Sequence, residues 1–373
     1  MTSKGKHQKH PPLKRSNIGH YNLCEWAIYG TNCGDIKSFF DMVSDQLNSV
    51  SLVYVDADHG DEQKDTHYHI GKKQFSTRKT QEWSHFDDRL NSIDADAAII
   101  NGNHYPAKKQ IIIIDDKKKD SLHRRVDQLT DIDIVIVNES EEEIFDFVKD
   151  KMNENTQVFL STQKTELIDH LNNAIQESKP PLRALILAGG KSQRMGFDKS
   201  QITYHGDVSQ EIHLQDLFKN IGVEAYLSKR YDYVSKVEDE LVITDKLVDM
   251  GPFGAISSAM MYDPNCAWLV VACDLPFLNK EIITRLIEGR NASKIATAFR
   301  GVDNPFPEPL ITIYEPRAYQ RFLSFLSLGY ACPRKVLINS DIEELVLEDM
   351  LSITNANTPE EMKAAKQILS NGN

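Results

Sequence analysis

Leu182-Arg-Ala-Leu-Ile-Leu-Ala-Gly-Gly-Lys-Ser-Gln-Arg-Met-Gly-Phe-Asp-Lys199 decides how this chain is read. Leu182 to Ala188 is an almost unbroken apolar run, the pattern of a strand buried on both faces of a parallel sheet. Gly189 and Gly190 follow at once and let the backbone turn sharply and approach a ligand with no Cβ in the way. They stand at the carboxyl end of a strand, where open α/β sheets bind their ligands. Amides in such a loop form a cradle for anions. Arg194 and Lys199 add positive charge suited to a triphosphate and to charge developing during phosphoryl transfer. The spacing matches neither the P-loop nor the dinucleotide-binding glycine fingerprint.

Upstream, Gln176-Glu-Ser-Lys-Pro-Pro181 follows a helical stretch, Glu166 to Ile175. Its two prolines block continuation of that helix and favour an extended linker, so a domain boundary is expected near residue 180. A chain of 373 residues is long enough for two domains. We expect α/β architecture throughout: two three-layer domains, residues 1–178 and 183–373.

Before the boundary, strand patterns at 26–29, 51–55, 97–100, 110–114 and 132–137 alternate with helical ones at 35–47, 121–129 and 140–151. Such alternation implies an open, mostly parallel sheet. Residues 61–82 are polar, without a strong period, and read as a long excursion. After the boundary, strands are expected near 183–188, 223–228, 240–243, 267–272, 294–299 and 309–314. Thr358-Pro-Glu-Glu361 carries a helix start, with Thr as cap, Pro at the first position and Glu three after the cap. That helix should end near Leu369.

Bulk properties exclude several classes. Apolar residues make up 40% and charged residues 26%, with net charge −12, a globular balance that argues against broad nucleic-acid binding. No apolar run reaches the ~18–20 residues that span a bilayer. The basic N-terminus lacks the apolar core of a signal peptide and reads as a tail. Five widely spaced cysteines, odd in number and without a C-x-x-C pair, fit the reducing cytoplasm better than a disulfide framework or a zinc knuckle.

Over its thirteen positions, 187–199, the opening stretch resembles the signature L-A-G-G-x-S-x-R-M-G-x-D-K of the molybdenum cofactor guanylyltransferases, in the sugar-nucleotidyltransferase-like group, and keeps every fixed residue. The resemblance extends over residues 183–373. Ala225-Tyr-Leu-Ser-Lys-Arg230 resembles the segment that closes around guanine, with Ser228 the candidate contact. Leu241-Val-Ile-Thr-Asp245 ends on the position of the family's nucleotide-contacting Asp. Gly251-Pro-Phe-Gly-Ala-Ile256 resembles its helix-starting turn, and Trp268 to Pro276 its strand ending in C-D-x-P, whose Asp binds Mg²⁺. Pro307-Glu-Pro-Leu310, Pro333-Arg-Lys335 and Asn355-Ala-Asn-Thr-Pro359 are similar to later landmarks.

The resemblance implies a Rossmann-like, nucleotide-diphospho-sugar transferase-like fold in the second domain. It implies an Mg²⁺-dependent enzyme that joins GMP from GTP to molybdopterin and releases pyrophosphate. Arg194, Lys199 and Asp274 would be catalytic. Leu187, Ala188, Gly189, Gly190, Lys199, Ser228, Asp245 and Asp274 would bind nucleotide, and Asp274 the metal. The chemistry needs such groups, because both reactants are anionic and must be neutralised. Read alone, Asp274 is equally a helix N-cap after a strand, and Asp245 a solvated turn residue. Tyr204-His-Gly-Asp-Val208 departs from the Gly-Lys-Pro-like turn of most relatives and affects the acceptor edge of the site.

In the first domain, Glu25 to Phe39 resembles the adaptor GTP-binding domain fused to some of these transferases. A P-loop counted from Gly30 needs Gly at 35, Lys at 36 and Ser or Thr at 37. The chain has Asp35, Ile36 and Lys37. The expectation is a P-loop-like domain whose nucleotide site is lost, or rebuilt around Lys37 and Ser38. His and Asp in 56–59 and 67–69 read as scattered loop residues rather than a metal site, and Lys117 to Lys119 as a solvated turn. Two alternatives stay open: a cytidylyl- or other nucleotidyltransferase with a different phosphorylated acceptor, and a cofactor carrier whose first domain docks a molybdoenzyme or another protein of the cofactor pathway.

Overall fold

The structure is a computed structural model that describes residues 21, 23–47, 50–57, 67–70, 75–78, 88–138, 143–188, 202–235 and 240–371. The chain forms two compact units, Met1–Ser178 and Lys179–Asn373.

In the first unit, β1 (Cys24–Tyr29), β2 (Leu52–Val55), β5 (Ala97–Asn101), β6 (Lys109–Ile113), β7 (Ile132–Val137) and β8 (Gln157–Leu160) form a sheet in the order β2-β5-β1-β6-β7-β8. All its pairings are parallel. A separate hairpin, β3 (His67–Ile70) with β4 (Phe75–Arg78), lies in the polar excursion. Along β1 the side chains divide between two cores, Ala27 and Tyr29 on one face, Trp26 and Ile28 on the other. The second face is covered by helices Cys33–Gln46 and Lys164–Glu177, through Ile36, Phe39 and Val43 and through Leu167, Leu171 and Ile175. Each side chain fully buried this way contributes roughly 1.5–3 kcal/mol.

The second unit holds β9 (Leu182–Leu187), β10 (Ala225–Lys229), β11 (Val242–Thr244), β12 (Ala267–Ala272), β13 (Ala296–Gly301), β14 (Ile311–Tyr314) and β15 (Glu343–Leu347), in the order β11-β10-β9-β12-β14-β13-β15. Only β14 runs antiparallel to its neighbours. Ala184 and Ile186 enter the core beneath helices Gln210–Asn220 and Lys280–Glu288. Leu185, between them, faces helices Gly251–Tyr262 and Ala318–Ser327 on the other side. Both faces of the sheet are covered, which is why β9 and β12 read as continuous apolar runs.

Two helices and several strands differ from expectation, and His67–Ile70, expected as loop, is strand β3. The helix expected at 140–151 is, within the described residues, only Asp146–Lys149, and the one at 121–129 is split into Lys119–His123 and a 3₁₀ turn at Val126–Gln128. Strands β8 and β15 were not anticipated. Both lie on sheet edges, where one side faces solvent and charged or polar residues interrupt the apolar pattern. The terminal helix, Pro359–Asn371, starts where its signals put it. Thr358 Oγ1 accepts from Glu361 N at 3.2 Å and Glu361 Oε2 accepts from Thr358 N at 3.0 Å, a reciprocal capping box.

One glycine in this unit sets a close approach beside the site. A Cβ on Gly254 would lie 2.3 Å from Leu247 O. Gly254→Ala is therefore expected to push the 245–250 turn off its helix. Overpacking of this kind costs ~1–3 kcal/mol, and thermal denaturation should show the midpoint falling roughly 2–4 °C per kcal/mol.

Candidate active site

Four parallel strands of the second unit, β11, β10, β9 and β12, end side by side. The chain leaves β9 toward β10 and β11 on one flank and later returns to β12 on the other. That makes the carboxyl end of β9 a topological switch point, the crevice where such sheets bind ligands. Leu187, the last residue of β9, is level with Ser228 on β10 and Ala272 on β12. Ala188 N donates to Ser228 O at 3.2 Å. Leu187 and Ala188 therefore form the floor, and Ser228, only 3% exposed, stands next to them.

Asp245 follows β11 directly and donates its N–H to Lys229 O at 3.0 Å. Its Oδ1 is buried and has no hydrogen-bond partner among the described residues. Burial pushes its carboxyl up to about 6. Asp245 is therefore half-buried, with one carboxylate oxygen withdrawn from water, unlike a fully solvated turn residue. Beside it, Lys229 Nζ meets Glu211 at 2.6 Å in a largely buried ion pair.

Asp274 lies two residues beyond β12, across β9 from Asp245. It does not cap a helix, because the next one, Lys280–Glu288, is capped by Asn279. Instead Asp274 Oδ1 accepts from Asn355 Nδ2 at 2.8 Å and its carbonyl from Ala356 N at 2.9 Å. The Asn355–Pro359 segment thus holds the carboxylate in place.

Leu187, Ala188, Ser228, Asp245 and Asp274 are brought to one end of the sheet. Gly189, Gly190, Arg194 and Lys199 lie outside the described residues. Sequence reasoning missed Tyr204, His205, Gln210 and Lys229. Tyr204 and His205 sit in the stretch that departs from the turn of most relatives, Gln210 lies two residues past it, and nothing in their types marks them as lying beside the Asp274 turn. Yet the Tyr204 hydroxyl is pushed up to about 12, by burial first and then by the charge of Asp274.

The Asp274 carboxylate is a hard-oxygen donor of the kind that could hold a metal ion. Among the described residues no group of three or more His, Cys, Asp and Glu is placed to hold a metal ion. A single carboxylate is a ligand set that Mg²⁺ can use, since it takes one or two and keeps several waters.

The first unit has a crevice of its own at the end of β1, a cavity of about 260 Å³ lined in part by Gly30, Asn32, Cys33, His104, Lys118 and Arg125. Gly30 is required there: its φ is +88° and a Cβ would lie 2.1 Å from Ile113 O. The helix begins at Cys33, capped by Asn32. Asp35 accepts from Thr31 Oγ1 at 2.7 Å and Asn32 Nδ2 at 2.6 Å. Lys37 pairs with Asp41 and lies over the rings of Phe40 and Tyr54 at 5.2 and 5.7 Å, and it does not line the cavity. A nucleotide loop rebuilt around Lys37 finds no support in this arrangement. Among the described residues no helix is long and apolar enough to cross a membrane, and none of the five cysteines is in a disulfide.

Residues 184–342 match the family model of the MobA-like NTP transferase domain. The chain is 32% identical over 201 residues to a molybdenum cofactor biosynthesis bifunctional protein of Synechocystis sp., covering 53% of this chain and 58% of that protein. It thus spans little more than half the length of that relative. A probable molybdenum cofactor guanylyltransferase of Natranaerobius thermophilus is 28% identical, covering 50% of this chain and 95% of its own length. A molybdenum cofactor guanylyltransferase of Pseudomonas fluorescens is 26% identical, covering 48% and 92%. Over residues 184–342, then, the chain is similar to the MobA-like NTP transferase domain.

Proposed function

We propose that the second unit transfers GMP from GTP to molybdopterin. An oxygen of the acceptor's terminal phosphate attacks the α-phosphorus, the bond from that phosphorus to the β-phosphate oxygen breaks, and pyrophosphate leaves. The observation that carries this reading is the alignment of Leu187, Ala188, Ser228, Asp245 and Asp274 at the ends of four adjacent parallel strands. The names of the relatives support the choice of substrates.

In this reading Asp245 and Ser228 receive the base side of the nucleotide and Asp274 holds Mg²⁺. When bound, the ion neutralises phosphate charge in the transition state. Gly189 and Gly190 contribute backbone to the phosphates, and Arg194 and Lys199 contribute charge. No side-chain base is needed, because the acceptor phosphate is ionised near neutral pH. Five cysteines outside disulfides fit a reducing, cytoplasmic setting.

The test is release of pyrophosphate by the full chain with molybdopterin and each of GTP, CTP, ATP and UTP. GTP is expected to be turned over fastest. GTP with Mg²⁺ should also raise the melting point of the second unit more than CTP does, since a ligand at 100 times its Kd adds about 2.7 kcal/mol to the folded state. Faster turnover and stronger protection with CTP would replace this reading with a cytidylyltransferase.

The first unit is proposed to be P-loop-like without a working nucleotide site. Asp35 puts negative charge at its loop, and Lys37 is engaged elsewhere. Calorimetric titration of the full chain with GTP and Mg²⁺ should give one site, unchanged in Lys37→Ala. Two sites, reduced to one by that substitution, would overturn the proposal.

A further inference from the structure

The turn that carries Asp274 is fastened on two sides. On one side are Asn355 and Ala356, described above. On the other is the chain from Ile202 to Gln210, which begins three residues after Lys199 in sequence.

Gln210 is 0% exposed, the first residue of its helix, and its side-chain Nε2 donates to Leu275 O at 3.0 Å. Its backbone N–H donates to Ile202 O at 2.8 Å. Its Oε1 is buried with no partner among the described residues. An apolar residue here would spare that desolvation cost but would take the donor from Leu275 O, so burial alone does not explain an amide at this position. A directed bond to one particular carbonyl does.

His205 acts on the next residue of the turn, its Nε2 standing 3.1 Å from Pro276 O. A carbonyl only accepts, so Nε2 carries the proton. The ring is held by stacking on His213, with centroids 3.8 Å apart and planes 16° from parallel. Ile202 and Tyr204 also pack in one apolar cluster with Phe277, Ala356 and the terminal helix. Side chains from three separate segments therefore converge on residues 274–277.

We propose that His205 and Gln210 are positioning residues for Asp274, holding the Leu275 and Pro276 carbonyls and so fixing the carboxylate relative to the segment that follows Lys199. The inference rests on the reading of Asp274 as the metal-binding residue. Displacement of a reacting group by about 1 Å can cost ~10²-fold in rate, so a turn that must not drift needs such bonds. The two side chains do not touch the nucleotide in this scheme. Their loss should slow the chemical step and leave ground-state nucleotide binding alone.

The experiment compares His205→Phe, His205→Gln and Gln210→Met in the full chain. Phe keeps a ring to stack on His213 and loses the donor, while Gln places an amide Nε2 where the ring Nε2 stands. For His205→Phe and Gln210→Met the expected result is a roughly tenfold fall in kcat for GMP transfer. KM for GTP should stay within about twofold, and half-maximal rate should need severalfold more Mg²⁺. Hydrogen–deuterium exchange in residues 273–278 should be faster than in the unaltered chain, and His205→Gln should recover most of the rate. Unchanged kcat and exchange in His205→Phe, or a His205→Gln as slow as His205→Phe, would overturn the inference. Should Gln210→Met fail to fold, the His205 pair decides alone. An unaltered chain that releases no pyrophosphate from GTP would defeat the proposed function, while exchange in 273–278 still decides whether these two residues hold the turn.

Discussion

Asp274→Asn is expected to lower kcat/KM for GMP transfer roughly thousandfold, ~4 kcal/mol of lost transition-state stabilisation, while the melting temperature stays within a few degrees of the unaltered chain. The two halves of that expectation have separate causes. The amide oxygen of Asn can still accept from Asn355 Nδ2, and the backbone bond from Ala356 N to residue 274 is untouched. The turn therefore survives. What is lost is the formal charge, and Mg²⁺ with few protein ligands depends on that charge. Asn355→Leu should give the complementary result, a smaller fall of about tenfold, because the charge remains but its orientation loosens. Steady-state rates across a range of Mg²⁺ concentrations check both. Turnover near the unaltered value in Asp274→Asn would remove the metal role from this residue.

Much of this site was legible before the fold, because each part of it sits where an apolar run stops. Leu182–Leu187, Ala267–Ala272 and the shorter run ending at Thr244 are strands covered on both faces, and their sequences show it. The residue just past each run is then at the ligand end of a parallel sheet. That rule puts Ala188, Asp245 and, one residue further past its run, Asp274 at the same end of the sheet without any distance being known. It could not tell an Asp in a solvated turn from a buried one. For Asp245 the difference is the burial of its Oδ1, which no sequence pattern records.

His205 and Gln210 were out of reach for a different reason. They act through carbonyls of Pro276 and Leu275, some seventy residues away, and a backbone acceptor leaves no trace in the sequence. In the first unit, the alternation of strands and helices was readable. The short edge strand β8 was not, since Gln157 and Val158 are exposed and the run is too brief to show a period. Lys37 illustrates the remaining limit. Counting along a motif puts a lysine close to the right position, but its partner one helical turn on, Asp41, takes it away from the cavity.

Asp245→Asn should weaken GTP binding and, at neutral pH, stabilise the second unit, and the two effects share one origin. The Asp245 carboxyl ionises near 6 in the folded chain because burial disfavours its charge, against 3.8 for the ordinary side chain. Between those values the folded state holds a proton that the unfolded chain has released. Stability from this residue is thus fully present below about pH 4 and is lost as pH rises through 6. Asn carries no charge to bury, so the variant should melt higher than the unaltered chain at pH 7.5 and show no such advantage at pH 4. Nucleotide affinity should run the other way. Above pH 6 the ionised carboxylate can accept N–H groups of guanine, and hydrogen bonds to a charged group are worth ~1.5–3 kcal/mol. GTP binding should therefore tighten as pH rises through about 6 in the unaltered chain. In Asp245→Asn it should be roughly 10–100-fold weaker at pH 7.5 and lack that rise. Calorimetric titrations and melting curves at several pH values between 4.5 and 8 read both quantities on the same samples. A variant that binds GTP as tightly as the unaltered chain, whatever its melting point, would move base recognition to Ser228 and its neighbours. A binding curve flat across pH 6 would place the Asp245 carboxylate outside the nucleotide's reach.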